Sequence, residues 1–318
     1  MCDTKINVET IGYYHRDRHL KVTADLLPKK LNENRKYFEN PSENPLPPIN
    51  LNIDVKDSGA GEYKMESLLD YIRQKGWPNN NPPEFVTNRH LLKTVAAPRQ
   101  QELLTVVGVR RNRVIYLLKI SREESYNKNF GAVFEHFLTK ENEDEEISED
   151  GIVRKAVFLA NVPKESGECS SVLYSGETDA IDDDGNHFEL KVLSSGMTTL
   201  FWNIICYQTF WQAALGNVKT VVIGSRTGKS YGLQARNLPQ YSLYKMETIP
   251  RQWLLSYWKI RDGEQRISTL LEYVKSVLTS DGEAFVFTRL GFSTQWRHRA
   301  NQKDTDAFRK TLDTYLGD

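Results

Sequence analysis

The amino-acid sequence predicts an α+β fold, because strand-like and helix-like stretches follow one another without the regular alternation of a parallel α/β sheet. Short alternating or wholly apolar runs, LLTVVGV at 103–109 and RVIYLLKI at 113–120 among them, have the period of strands. Apolar residues three and four apart, as in 65–75 and 127–138, have the period of helices. Neither an internal repeat nor a low-complexity linker divides the 318 residues. A single domain is therefore expected over 1–318, with a wrapping region at 1–100 and the sheet core and site at 101–318.

The first eighty residues are rich in Asn, Pro and Lys and contain two turn-heavy stretches, 40–48 and 78–83. Between them Leu68, Leu69 and Ile72 mark a helix, so this region is expected to wrap the core with one or two helices. The sheet is expected to begin at Leu103, where two strands join through the basic turn around Arg111 and Arg113. Phe130, Val133, Phe134, Phe137 and Leu138 share one face of a short helix that carries Glu135. After the strand candidate VRKAVFLANV, the segment SVLYSGETDAI alternates, turns at Asp184-Gly185 and resumes as HFELKVL, the pattern of a hairpin. Helices at 196–216, 264–278 and 303–316 and the strands TVVIGSR and EAFVFTRL complete the chain.

Hydrophobic residues form 39% of the sequence and charged residues 26%, with six Trp, fifteen Tyr and thirteen Phe, which suits a packed core and excludes a disordered chain. The 42 basic and 42 acidic residues cancel, so affinity for a polyanion must come from local segregation of charge. ENEDEEISED at 141–150 holds seven acids and reads as a solvated loop. From 213 to 261, by contrast, eight basic residues face the single acid Glu247. Cys2, Cys169 and Cys206 are too few and too scattered for a disulfide framework or a thiolate zinc site, which favours an intracellular setting, nucleus or cytoplasm. No apolar leader opens the sequence and no run approaches a spanning helix, so no membrane partner is expected; Asn203, Gln208 and Gln212 interrupt the most apolar stretch.

In a strand, side chains two apart share a face, so Glu177 and Asp179 are expected to project together, as are Glu189 and Lys191 on the next strand. The hairpin would join the two pairs. Three carboxylates on one patch repel each other unless a cation neutralises them, and hard oxygen ligands suit Mg2+ or Mn2+, as one ion or two. Lys191 could then orient an attacking water while the ion offsets charge on a scissile phosphate. The same spacing also describes an acidic hairpin with a charged solvent face, and the residues alone leave both readings open.

An acid followed by Glu-x-Lys resembles the PD-(D/E)xK nuclease superfamily. FVTNR ending at Arg89, GAVFE ending at Glu135, GETD with Glu177 and Asp179, FELK with Glu189 and Lys191, and FWQ ending at Gln212 resemble, in the same order, the motifs of the DXO decapping and exoribonuclease family. IGYYHRDR near the start and TVVIGSR after the glutamine extend the resemblance over nearly the whole chain. It implies two packed mixed β-sheets flanked by helices around a deep PD-(D/E)xK-like site. It implies that Asp179, Glu189 and the backbone of Leu190 bind metal, that Glu177 and Glu135 complete the site, that Lys191 and Gln212 position water and phosphate, and that Arg89 holds an RNA phosphate. The implied activity is hydrolysis at RNA 5′ ends in RNA quality control: removal of incomplete or NAD-type caps and 5′ triphosphates, with 5′–3′ exoribonuclease activity. The implied partners are capped, triphosphate or monophosphate RNA ends acted on by a monomer. On a second reading the chain is a weakly active or inactive end binder that regulates a nuclear 5′–3′ exonuclease. The sequence departs from the family at Asn88 and His90, where Trp and Gly are usual, and at Ala132-Val133, which bears on contacts near Arg89 and leaves the metal ligands intact.

Gln208 and Gln212, one turn apart on an apolar helix, have the pattern of hydrogen-bonded core residues, and only the family order marks Gln212 as a site residue. The basic stretch is interleaved with Tyr231, Tyr241, Tyr244, Trp253, Tyr257 and Trp258, which fits a channel for single-stranded RNA or an ordinary amphipathic surface. Arg226 and Lys229 are its first choices for phosphate contacts. GSRTGKS is one residue short of a phosphate loop, and His15 and His19 lack the glutamate of a zinc-binding helix, so neither is read as a site.

Overall fold

The computed structural model describes residues 4–53, 65–99, 101–120, 130–142, 145, 151–228, 241–255 and 259–317. The N-terminal part contains β1 (Asn7–Arg16), β2 (Val22–Ala24), α1 (Lys36–Glu39), β3 (Ile49–Asn50), α2 (Glu66–Lys75), β4 (Phe85–Asn88) and α3 (Arg89–Ala96). There follow β5 (Leu103–Arg111), β6 (Val114–Lys119), α4 (Phe130–Thr139), β7 (Val153–Pro163), β8 (Cys169–Glu177), β9 (Ala180–Ile181) and β10 (His187–Ser194). A π-helical turn, Phe201–Ile205, leads into α5 (Cys206–Ala214), then β11 (Val218–Arg226), β12 (Ser242–Pro250), α6 (Ile260–Val277), β13 (Ala284–Leu290), β14 (Arg297–Arg299) and α7 (Gln302–Leu316).

The strands build a nine-stranded sheet, ordered β14-β13-β5-β6-β4-β8-β7-β1-β2, and a five-stranded sheet, ordered β3-β12-β11-β10-β9. Both are mixed: β4 runs parallel to β6 and β8, β10 runs parallel to β11, and their neighbours are antiparallel. The α+β class with two mixed sheets and flanking helices is the architecture expected. The larger sheet, however, begins well before Leu103. β1 pairs with β7 from Asn7↔Asn161 to Arg16↔Val153, and β4 lies between β6 and β8. A register shift between Thr10 and Gly12 breaks the period of β1, and β4 has only four residues, so neither announces itself as a strand.

The expected hairpin is also corrected. β8 ends at Glu177 in the larger sheet, whereas β9 and β10 belong to the smaller one, so Glu177 and Asp179 do not share a strand. The hairpin proper is β9 and β10, paired at Ala180↔Phe188 and Ile181↔His187.

Three apolar clusters order the layers. The central one joins Phe85, Leu117, Phe158 and Tyr174 of the larger sheet to Val221 and Ile223 of the smaller, with Leu92, Phe210, Trp211 and Ile267 from α3, α5 and α6 between them. The other face of the larger sheet carries Tyr14, Val86 and Leu173 beneath α2 and α7, through Leu68, Leu69, Phe308 and Leu312. The outer face of the smaller sheet places Leu190, Val222 and Leu243 against Phe134 and Leu138 of α4 and Phe38 of α1. Each such buried side chain contributes roughly 1.5–3 kcal/mol of burial free energy, so the placement of β10 between α4 and α5 is strongly determined.

Candidate active site

Alternation along β10 sets the polarity of the site. Leu190 turns into the cluster under α4, so Glu189 and Lys191 take the opposite face, toward α5. Glu189 is 3% exposed, and its Oε1 accepts hydrogen bonds from Gln212 Nε2 at 2.5 Å and Lys191 Nζ at 3.0 Å. Gln212 Oε1 in turn accepts from Lys93 Nζ at 3.2 Å and Lys191 Nζ at 3.4 Å.

Asp179 stands in the link between the sheets. β9 covers only His187 and Phe188 of β10, so the edge of β10 beyond Phe188 has no strand partner among the described residues on that side. The Asp179 carboxylate takes the vacant acceptor place, and Oδ2 accepts the Leu190 N–H at 2.8 Å. A residue's N–H and C=O point to the same side of its strand, so the Leu190 carbonyl faces this edge too.

The carboxylates feel one another strongly. Burial, followed by repulsion from Glu189, pushes Asp179 up to about 8, against the opposing pull of the Leu190 N–H, Arg89 and Lys191. Glu135 on α4 is held well above the ordinary carboxylate range by burial and then by the charges of Asp179, Glu177 and Glu189. Among the described residues no three His, Cys, Asp or Glu side chains close into a ready cage; Asp179 is tied to the Leu190 amide and Glu189 to Gln212 and Lys191.

Beside the carboxylates lies an excess of positive charge. Arg89 opens α3, whose N-cap is Asn88: the Asn88 side chain accepts the Leu91 N–H at 2.8 Å. The residue that departs from the family pattern therefore fixes the start of the helix bearing Arg89. The Arg89 side chain is 9% exposed and has no hydrogen-bond or ion-pair partner among the described residues. Two glycines form its slot, since a Cβ at Gly176 would lie 2.5 Å from Arg89 Nε and one at Gly216 would lie 2.7 Å from Nη1. Over the carboxyl ends of the parallel strands β4 and β8 opens a cavity of about 390 Å³, lined by Arg16, Arg89, His90, Lys93 and Lys155, with Glu177 as its acid and Gln212 shared with the carboxylate cluster.

The structure thus gathers Glu135, Glu177, Asp179, Glu189, Lys191, Gln212 and Arg89 into one region. Lys93, Arg16 and Lys155 are additions that sequence reasoning missed. Lys93 had one local signal, its place a helical turn after Arg89, while Arg16 and Lys155 come together only through strand pairing. Arg226 lies apart: from Val221, which pairs with Glu189, to Arg226 the strand runs roughly 16 Å. Its guanidinium stacks 4.1 Å above the Phe130 ring. Lys229, Tyr231, Tyr257 and Trp258 lie outside the described residues. Among the described residues of the basic stretch, Arg251 is buried and donates to the Val218 carbonyl at 2.8 Å, and Lys245 is paired with Glu247 at 2.8 Å. Gln208 Nε2 donates to the Ala97 carbonyl at 3.5 Å and serves the core.

Two packed mixed sheets, an aspartate at their junction and a Glu-x-Lys strand beside it define the nuclease class of PD-(D/E)xK folds. The chain belongs to the RAI1-like PD-(D/E)XK nuclease family, whose model matches residues 7–311. Decapping nuclease dom-3 of Caenorhabditis elegans is 23% identical over 278 residues, covering 76% of this chain and 68% of that protein. The crystal structure of Scheffersomyces stipitis Rai1 in complex with (3′-NADP)+ and calcium ion is similar with a TM-score of 0.66 at 13% identity, over 97% of this chain and 96% of that one. Candida albicans Rai1 in complex with pU5-Mn2+ gives a TM-score of 0.66 at 10% identity, over 98% and 94% of the two chains.

Proposed function

We propose that the protein hydrolyses RNA 5′ ends with the help of a divalent metal ion, removing incomplete or NAD-type caps and 5′ triphosphates and degrading RNA in the 5′–3′ direction, with residues 1–318 acting as one catalytic domain. The observation that carries this reading is the juxtaposition of mutually repelling carboxylates with the buried guanidinium of Arg89, which has no hydrogen-bond or ion-pair partner among the described residues. One half of the site asks for a cation and the other for an anion, and a metal ion bridged to a phosphate satisfies both. The relatives' names and bound molecules, a decapping nuclease, pU5 with Mn2+ and an NADP-type dinucleotide with calcium, support the same substrate class.

The donor set fits Mg2+ or Mn2+. Asp179, Glu189 and the Leu190 carbonyl would hold the ion, with Glu135 and Glu177 completing a one- or two-ion site, and all are hard oxygen donors. When bound, such an ion supplies Lewis-acid stabilisation of phosphate charge and acidifies water. Lys191, held between Glu189 and Gln212, is placed to donate a hydrogen bond to the attacking water or to a phosphate oxygen. The Gln212 amide keeps Glu189 in position, and Arg89 grips a phosphate with both arms of its fork. Arg226 serves RNA further from the reacting end.

The test is incubation of the purified chain and metal with RNAs bearing 5′-triphosphate, unmethylated-cap, NAD-cap and monophosphate ends, with product masses read out. Asp179→Ala and Glu189→Ala are expected to abolish hydrolysis while leaving the fold intact, and full turnover in either variant overturns the assignment. Preference for single-stranded DNA over RNA overturns the substrate. Product formed by the chain alone separates this reading from an inactive end binder serving a partner exonuclease.

A further inference from the structure

We infer that His187, backed by Tyr13, is a positioning residue that sets the width of the Arg89 slot and so the placing of its guanidinium. The inference rests on Arg89 gripping an RNA phosphate, as proposed above. His187 opens β10 two residues ahead of Glu189 and shares its face, turned between the sheets, where it is 5% exposed. Its Nδ1 lies 2.9 Å from the Gly216 carbonyl oxygen and its Nε2 lies 2.8 Å from the Tyr13 hydroxyl. A carbonyl oxygen only accepts, so Nδ1 carries the proton and donates; in the neutral ring Nε2 then accepts, and the Tyr13 O–H donates to it. Tyr13 thereby selects the tautomer that holds Gly216. The Phe158 ring packs edge-on against the imidazole, with 5.9 Å between centroids.

Gly216 stands in the turn between α5, which carries Gln212, and β11. One hydrogen bond from each sheet pins that turn. Tyr174 of β8 donates its hydroxyl to the Leu215 carbonyl at 2.9 Å, and His187 of β10 donates to Gly216. Tyr174 lies two residues before Gly176, the opposite wall of the slot, so Tyr174 and His187 together set the separation of Gly176 and Gly216. That separation leaves no spare room, since a Cβ at either glycine would lie within 2.7 Å of the Arg89 guanidinium nitrogens. With no hydrogen-bond or ion-pair partner among the described residues, the guanidinium takes its position from these walls. Without the imidazole, the buried Gly216 carbonyl must turn toward another donor, and one wall moves with it. His187 and Tyr13 themselves line a separate cavity of about 420 Å³, with Thr10 and Asn217, whereas Arg89, Gly176 and Gln212 line that of the site. The imidazole thus reaches the wall from behind and acts on substrate only through Arg89.

Binding of a 3′-fluorescein, 5′-monophosphate RNA, measured by anisotropy in calcium, tests this through a double-substitution cycle. His187→Leu is expected to weaken binding about tenfold, as loss of the hydrogen bond to a buried carbonyl requires, and Tyr13→Phe about threefold. His187→Asn, whose amide donates from the place of Nδ1, is expected to stay within about threefold of the wild type. In an Arg89→Met background, His187→Leu is expected to add no further loss. Turnover in Mn2+ is the second readout: KM rises while kcat stays close to the wild type, a split that loosening of the strand around Glu189 would not give. Should His187→Leu fail to melt cooperatively, Tyr13→Phe with and without Arg89→Met decides. Additive losses in the cycle, or wild-type affinity in folded His187→Leu, overturn the positioning role and leave the hydrolase reading standing. An Arg89→Met chain that binds as tightly as the wild type removes the phosphate grip and the inference with it, and a wild-type chain that binds no RNA overturns the hydrolase reading as well.

Discussion

Lys93 and Gln212 are joined across the site, the lysine donating to Gln212 Oε1 at 3.2 Å while Lys191 donates to the same oxygen at 3.4 Å. With its oxygen engaged by two ammonium groups, the amide must present Nε2 to Glu189. Lys93→Met keeps the apolar stem and removes one of the two donors. Turnover is expected to fall about tenfold, the equivalent of one such hydrogen bond, with a smaller change in KM. Steady-state kinetics on a 5′-monophosphate RNA checks this; a change confined to KM would reduce Lys93 to a binding residue.

The same lysine makes stability depend on pH. Burial, then repulsion from Lys191 and Arg89, pulls Lys93 down from 10.5 to about 8. Between those values the unfolded chain binds the extra proton, so stability rises as pH climbs from about 8 toward 10.5. Below that window Lys93 is charged in both states and its penalty is constant, on the order of 3 kcal/mol. Lys93→Met is therefore expected to melt higher than the wild type at neutral pH and to lose the advantage at strongly alkaline pH. Melting curves that stay parallel across this range would refute the shift.

Asp179 has the opposite sign. Its carboxyl is pushed up from 3.8 to about 8, first by burial and then by Glu189, so the folded chain binds the proton that the unfolded chain releases. In chelator, stability is expected to fall as pH rises through that window. A divalent ion competes with this proton, and the rise in Tm on adding Mn2+ should be larger at the upper end of the window than at the lower. Asp179→Asn should erase the difference. An equal rise at both ends, or one that survives the substitution, would remove Asp179 from the ligand set.

Gly176 and Gly216 bound the Arg89 side chain. A methyl group at Gly176 would approach Arg89 Nε, Cδ and Cβ at 2.5, 2.8 and 2.9 Å, and the last of these atoms cannot swing aside. Gly176→Ala is expected to cost about 1–3 kcal/mol of stability and to raise KM for RNA. At Gly216 the nearest atom is the mobile Nη1, at 2.7 Å, so Gly216→Ala should raise KM with a smaller loss of stability. Denaturant titration beside kinetics separates the two, and identical losses would contradict the slot.

Much of this molecule is legible before folding. LLTVVGV, RVIYLLKI and TVVIGSR are strands because their faces are buried, and the helix through Leu68, Leu69 and Ile72 lies where its spacing places it. The carboxylates, Lys191, Gln212 and Arg89 could be named from motif order. What stayed hidden depends on events remote in sequence. The period of two runs through Glu177, Thr178 and Asp179 without a mark, although the chain changes sheets there. α3 carries no mark in the sequence reading, and its start is set by the Asn88 cap. Arg16 and Lys155 look like solvated charges in isolation, and only the pairing of β1 with β7 turns them toward a common cavity.

Thr178 and Asp179 are the whole of the link between β8 and β9, hence between the two sheets at this point. An ion seated there would take donors from the end of one sheet, the link, a strand of the other sheet and α4 beyond it. It would act as a rivet through the molecule as well as a reagent. Amide exchange along β9 and β10 should slow when the ion is added, while α2 and α7, on the far face of the larger sheet, should be indifferent. Chelation would then loosen the docking of one sheet on the other, and the metal would count among the tertiary contacts of the fold.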